Sequence, residues 1–163
     1  MRYLLLAIFL FGCYNPTTVV DMSYDMQHAG ETYSALSERK AVIYAWQQHM
    51  NTFSNLKQKC VNHVMKVPIH IIAIEDFEIN CSVGVRGCYM HPDGVITTAE
   101  IFIAPKNKNH LSDTAVHELI HSIEFCQAEG NRYLQQRSSK HNTTEIWSKT
   151  ENSVLTLAKS VVE

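Results

Sequence analysis

Apolar residues recur every three or four positions in the stretch between residues 37 and 64. The residues that follow this spacing are Val42, Trp46, Met50, Phe53, Leu56, Cys60 and Val64. That period is typical of the buried side of an amphipathic α-helix. The stretch therefore predicts either one long helix or two helices that join near residues 51–54.

The pattern changes after residue 66 to short runs that are rich in β-branched residues. Such runs predict strands at 67–74, 77–81, 87–90 and 99–104. The sequence His91-Pro92-Asp93-Gly94 has proline and glycine where a tight turn needs them. Pro105 ends the last predicted strand.

Helical spacing returns after this strand. Ser112 is the predicted N-cap of a helix that runs to about Gln127, and Gly130 is a suitable stop. A last helix is predicted from residue 143 or 144 to the C-terminus. A long N-terminal helix, a group of strands and two further helices predict a single α+β domain.

The N-terminus has the pattern of an export signal. Arg2 precedes an apolar run at residues 3–11, which is too short to span a membrane but suits a signal peptide. Leu10-Phe11-Gly12-Cys13 resembles the bacterial lipobox, in which the signal is cut before a cysteine that then carries lipid. We therefore expect a signal peptide at 1–12, lipid on Cys13, a polar tether at 13–30 and one domain at 31–163. The lipid would anchor the protein in the cell envelope.

Composition limits the classes of partner and the kinds of bound group that the chain is expected to have. The chain has 163 residues, with 14 basic and 16 acidic side chains, so it lacks the positive charge that nucleic-acid binding requires. We expect a monomer. With Cys13 lipidated, four cysteines remain, and we expect the disulfide pairs Cys81–Cys88 and Cys60–Cys126. Nine histidines indicate metal binding.

The residues that carry the chemistry are His117-Glu118-Leu119-Ile120-His121. On a helix, residues four apart lie one turn apart on the same face, so both imidazoles can reach one zinc ion. Glu118 follows His117 directly and could reach a water on that ion without being a ligand itself. That position suits a general base.

At this motif the chain resembles the zincin metallopeptidases, over about residues 67–163. The resemblance implies a twisted, mostly antiparallel sheet packed on the helix that carries the motif. It also implies zinc ligation by His117 and His121, a general base at Glu118, and a third ligand from further along the chain. The edge strand, here 99–104, would bind a substrate peptide in extended form. The metzincin pattern is excluded because Glu124 and Gln127 stand where it has glycine and histidine.

The third zinc ligand remains open between two residues. Glu124 and Glu129 lie on or just after the helix that carries the motif, so they cannot easily curl back onto the ion. His141 lies in the following loop and is our first choice. Glu151 lies on the apolar side of the last helix, where a carboxylate needs a partner, and is the alternative. If His141 binds zinc, Glu151 could accept its second N–H.

Two functions follow from these residues. The first is a zinc-dependent peptidase, anchored as an exported lipoprotein, that cleaves an unidentified peptide or protein. The second is a non-catalytic metal-binding lipoprotein that acts as a binding or inhibitory module. Glu118 favours the first, because a structural zinc site has no need of a general base. Tyr89, His110 and Tyr133 are the candidates for a transition-state donor, and the sequence does not choose among them.

Overall fold

The computed structural model describes residues 23–50, 56–81, 84–92, 98–128 and 145–162. Its elements in chain order are α1 Tyr24–His28, α2 Leu36–Met50, α3 Gln58–Lys66, β1 Ile69–Ile71, α4 Ile74–Asn80, β2 Gly87–Met90, β3 Glu100–Ile103, α5 Lys108–Gln127 and α6 Glu145–Val162. Across these described ranges the fold is mixed α+β, with six helices and one three-stranded sheet, which confirms the predicted class. The predicted signal peptide, Cys13 and His141 lie outside them.

The sheet is mixed, and this corrects two predictions. Its order is β1-β3-β2, with β1 parallel to β3 and β2 antiparallel to β3. The sheet of these strands is therefore not mostly antiparallel, and the predicted edge strand at 99–104 is central. The segment 30–33 pairs with the other side of β1 through an antiparallel bridge between Thr32 and His70. Among the described residues, β2 is left as the strand without a second neighbour.

The core lies between one face of the sheet and the helices. Ile69, Ile71, Ile101 and Ile103 alternate along β1 and β3 and are at most 3% exposed. Helices α2, α3, α5 and α6 cover them with the apolar side chains Val42, Trp46, Val64, Val116, Leu119, Ile120, Ile123, Val154 and Ala158. Of the predicted stripe, Val42, Trp46, Cys60 and Val64 are confirmed as core positions. Leu56 is partly buried against the core, and the side chains of Met50 and Phe53 lie outside those that the structure describes. α2 and α3 are separate helices, which is the second of the two predicted arrangements.

Residues 77–81, predicted as a strand, lie mostly within α4 and at its C-cap instead. The buried carboxylate of Asp25 accepts the backbone N–H of Ile74 at 3.1 Å. An acceptor at this position satisfies a donor that the first turn of a helix leaves unpaired. Asp25 lies 49 residues before Ile74 in the chain. The sequence close to residue 77 therefore does not reveal this hydrogen bond.

The start of α5 also differs from the prediction. The helix begins at Lys108, and its N-cap is Asn107, whose Oδ1 accepts the N–H of His110 at 2.9 Å. Ser112, the predicted cap, lies inside the helix and donates to Glu38 at 2.6 Å. The N-cap of the helix is therefore five residues earlier than the sequence pattern indicated.

The end of the predicted tether belongs to the folded domain. Residues 24–28 form α1, and Asp25 is fully buried. Gly30 N–H donates to the carbonyl of Ile71 at 2.8 Å. Asp25 and Gly30 of the predicted tether therefore pack against the folded domain, because their polar groups have specific partners in it.

Both predicted cysteine pairs lie at disulfide distance. Cys60 and Cys126 have a Cα–Cα distance of 5.5 Å and join α3 to the end of α5. Cys81 and Cys88 have a Cα–Cα distance of 6.2 Å and join the residue after α4 to β2. Both distances are within the usual range for disulfides. Among the described helices, none has both the length and the apolar character of a membrane span.

Candidate metal centre

Helix α5 fixes the positions of the two motif histidines. Its side chains Val116, Leu119 and Ile120 are at most 1% exposed and set the rotation of the helix against the core. His117 and His121 then lie one turn apart beside this apolar side, with ring centroids 4.8 Å apart and planes at 80°. Their Nε2 atoms are 3.2 Å apart.

This distance fits two ligands of one metal ion. Two nitrogens held by a tetrahedral zinc at about 2.0–2.1 Å lie roughly 3.3 Å from each other. The described residues contain no group of three or more histidine, cysteine or carboxylate side chains that could hold a metal ion. His141 is outside those residues. Glu151 lies on α6, but its side chain is not among those the structure describes.

Glu118 lies against the first residue of the edge strand β2. Its side chain is buried, with 5% exposure. A Cβ atom added to Gly87 would lie 2.6 Å from Glu118 Oε1 and closer still to the methyl group of Thr114. The strand can approach the helix this closely because residue 87 has no side chain. Gly87 is not among the site residues that the sequence predicts, although a glycine in a strand is itself a sign of close backbone approach.

Glu124 lies beside His121 on the side away from His117. It is 3% exposed, and its Oε2 is 3.5 Å from His121 Nδ1. That nitrogen is the one that does not face His117. A carboxylate at this nitrogen favours the tautomer that carries the proton there and leaves Nε2 free for a metal. Glu124 can therefore support His121 without being a ligand.

The free edge of β2, meaning the side on which no described residue pairs with the strand, is next to this site. Ala104 N–H donates to the carbonyl of Arg86 at 2.9 Å, so these residues form a hydrogen-bonded pair of the β2–β3 ladder. Hydrogen-bonded and non-hydrogen-bonded pairs alternate along antiparallel strands. Gly87 and Tyr89 therefore direct their backbone N–H and C=O groups away from β3. Within the described ranges, these backbone groups of β2 have no strand partner, and they lie beside Glu118.

The candidate transition-state donors lie in different surroundings. The Tyr89 hydroxyl is 3.1 Å from His63 Nε2, and burial raises its pKa to about 12. It belongs to a packed cluster between α3, β2 and α5. His110 lies one turn before Thr114, 3.3 Å from its hydroxyl, and burial lowers the pKa of its imidazole. Tyr133 lies outside the described residues.

Comparison with known proteins gives no family assignment. The chain matches no protein-family model, no curated protein and no solved structure.

Proposed function

We propose that the protein is a zinc-dependent peptidase, exported and anchored through lipid on Cys13. The observation that carries this proposal is the 3.2 Å separation of His117 Nε2 and His121 Nε2, with the buried carboxylate of Glu118 on the same helix. His117 and His121 would hold the zinc ion. The third ligand would come from His141 or Glu151.

Each residue of the site would have a separate role in peptide hydrolysis. Zinc in such a site polarises the scissile carbonyl and lowers the pKa of a bound water towards about 7. Glu118 would accept the proton of the attacking water and deliver it to the leaving amine. The backbone of β2 would hold the Glu118 carboxylate in place, since Gly87 leaves it little room to move. Glu124 would orient His121.

The free edge of β2 supports a peptide as the substrate. An extended peptide could pair with the backbone groups of Gly87 and Tyr89 as an added strand. Gly87 contacts Glu118, so a peptide paired there would run beside the general base. This replaces the predicted substrate strand at 99–104, which is paired on both sides.

The proposal is tested by zinc stoichiometry together with reversible loss of activity. Purified protein should contain one zinc per chain by mass spectrometry and should cleave an unfolded protein substrate. Removal of zinc with a chelator should abolish cleavage, and added zinc should restore it. Full zinc content without cleavage would instead support the non-catalytic binding module. Absence of zinc would contradict both.

A further inference from the structure

An aromatic pair continues the row of motif histidines along α5. Phe125 lies one helical turn after His121, which itself lies one turn after His117, so the three side chains follow one another along the same side of the helix. The imidazole of His91, the residue after β2, stacks on the Phe125 ring, with centroids 4.4 Å apart and planes at 18°. This stacked pair of His91 and Phe125 therefore lies next to the proposed zinc site.

The fold holds the Phe125 ring from its inner side. Tyr89 on β2 contacts the ring edge-on, with centroids 5.9 Å apart and planes at 63°, and the Tyr89 hydroxyl is 3.1 Å from His63 Nε2 on α3. The next residue, Cys126, pairs with Cys60 and ties the last turn of α5 to α3. A surface that is fixed in this way has little conformational entropy to lose when a ligand binds.

Both members of the stacked pair are only half-buried. Phe125 and His91 keep part of their surface accessible among the described residues, whereas Leu119 and Ile120, on the buried side of α5, are fully covered. Phe125 therefore does not belong to the core that sets the rotation of α5. An accessible aromatic surface next to a catalytic site can contact part of a substrate.

The pleat of β2 places the stacked pair beside a peptide that is paired with its outer edge. Side chains alternate along a strand, so Gly87, Tyr89 and His91 are directed to the same face of the sheet, and this face contacts α5. The side chains of an added strand alternate in the same way. Those directed towards α5 would lie about 5 Å from the neighbouring side chains of β2, so one of them would contact the stacked pair.

The distance along α5 limits which substrate residue this can be. The four residues from His121 to Phe125 rise by about 6 Å along the helix axis. That rise equals about two residues of an extended peptide. The substrate side chain that contacts the stacked pair therefore belongs to a residue within about two positions of the cleaved bond.

We propose that His91 and Phe125 form a substrate subsite that selects an aromatic side chain close to the cleaved bond. This inference rests on the peptidase function proposed above and adds the substrate class, which is peptides with phenylalanine, tyrosine or tryptophan at one such position. An aromatic side chain gains ring contacts with Phe125 and His91 that a small or charged side chain lacks.

Mapping of cleavage sites in a peptide mixture by mass spectrometry tests the proposal. Aromatic residues should be enriched at one position within about two residues of the cleaved bond. Two peptides that differ only there, with phenylalanine or alanine, should differ in kcat/KM by at least about tenfold in favour of phenylalanine. Phe125→Ala and His91→Ala should each reduce this ratio at least about threefold and keep zinc. Tyr44→Ala, which removes an exposed ring on α2, is the matched control and should leave the ratio unchanged.

The outcomes separate this subsite from the peptidase function itself. Cleavage without an aromatic preference would overturn the subsite and leave the peptidase proposal standing, as would a preference that neither variant reduces. If circular dichroism shows that Phe125→Ala is unfolded, His91→Ala decides alone, because it alters a half-buried side chain outside the helices and strands. Zinc-loaded protein that cleaves none of the peptides would contradict the peptidase proposal and the subsite together.

Discussion

Gly87 and Glu118 are in direct contact: a Cβ atom on Gly87 would lie 2.6 Å from Glu118 Oε1. This contact joins the edge of the sheet to the residue proposed as general base. The backbone of β2 therefore lies against the Glu118 carboxylate. Its outer N–H and C=O groups have no strand partner among the residues that the structure describes. Substrate alignment and proton transfer would depend on the same strand.

Gly87→Ala should lower peptide cleavage by at least about tenfold without loss of zinc, because the added methyl group displaces Glu118 or shifts β2. It should also lower the free energy of unfolding by about 1–3 kcal/mol. Activity, zinc content and chemical denaturation would be measured together. Gly84→Asn is the matched control, since residue 84 has a φ of +85° and no atoms near its Cβ position, and asparagine tolerates that conformation. Equal activity in both variants would contradict the proposed contact.

Glu124→Gln should weaken zinc binding by about 10–100-fold, the usual cost of losing a carboxylate behind a metal-binding histidine. The affinity would be measured by competition with a chelating dye. Asp113→Asn is the control, because Asp113 lies on the same helix but pairs with Lys159. Unchanged affinity in Glu124→Gln would show that Glu124 does not support His121.

Zinc affinity in two single variants identifies the third zinc ligand. We expect His141→Ala to lower zinc affinity by at least about 100-fold, since a direct ligand matters at least as much as a supporting residue. Glu151→Ala should then have a smaller effect. The opposite ranking would assign the third position to Glu151. Full zinc binding in both variants would mean that another residue completes the site.

The Cys60–Cys126 pair should contribute strongly to stability. It closes a loop of 66 residues, for which chain entropy gives about 4 kcal/mol. The double variant Cys60→Ser, Cys126→Ser should lower the free energy of unfolding, measured by urea titration, by about 4 kcal/mol. Protein with Cys13→Ser, unfolded without reductant, should show no free thiol. One or more free thiols per chain would contradict the two-disulfide pattern.

Lipidation is a separate prediction, because Cys13 lies outside the described residues. In a bacterial host the full chain should incorporate labelled fatty acid and fractionate with membranes. Cys13→Ser should abolish both while leaving zinc binding by the folded domain intact. Fatty-acid labelling that persists in Cys13→Ser would place the lipid elsewhere.

Local sequence patterns predicted the features that depend on neighbouring residues. The spacing of Val42, Trp46 and Val64 correctly indicated the buried side of α2 and α3, because helical periodicity depends only on residues within a few turns. The features that it missed depend on distant partners. α4 is capped by Asp25, 49 residues earlier. Which strand lies at the edge depends on how β1 and β2 pair with β3. The alternation of apolar and polar residues along a strand does not specify which strands lie beside it.

The site could be predicted only in part for the same reason. The i, i+4 spacing of His117 and His121 places both rings together on any helix. The contact of Gly87 with Glu118 requires β2 to pack on α5, which no local pattern specifies. The pairing of Glu124 with His121 is local, at a spacing of three residues. It was missed because the residue was considered only as a metal ligand.

The most direct test of the account compares Glu118→Gln with the unaltered protein. Glutamine keeps the shape of the side chain and removes its ability to accept a proton. We expect one zinc per chain in both proteins, similar far-ultraviolet circular dichroism, and peptide cleavage that is about 10²–10⁴-fold slower in the variant. Cleavage by Glu118→Gln at the rate of the unaltered protein, with zinc bound in both, would contradict a general base at Glu118.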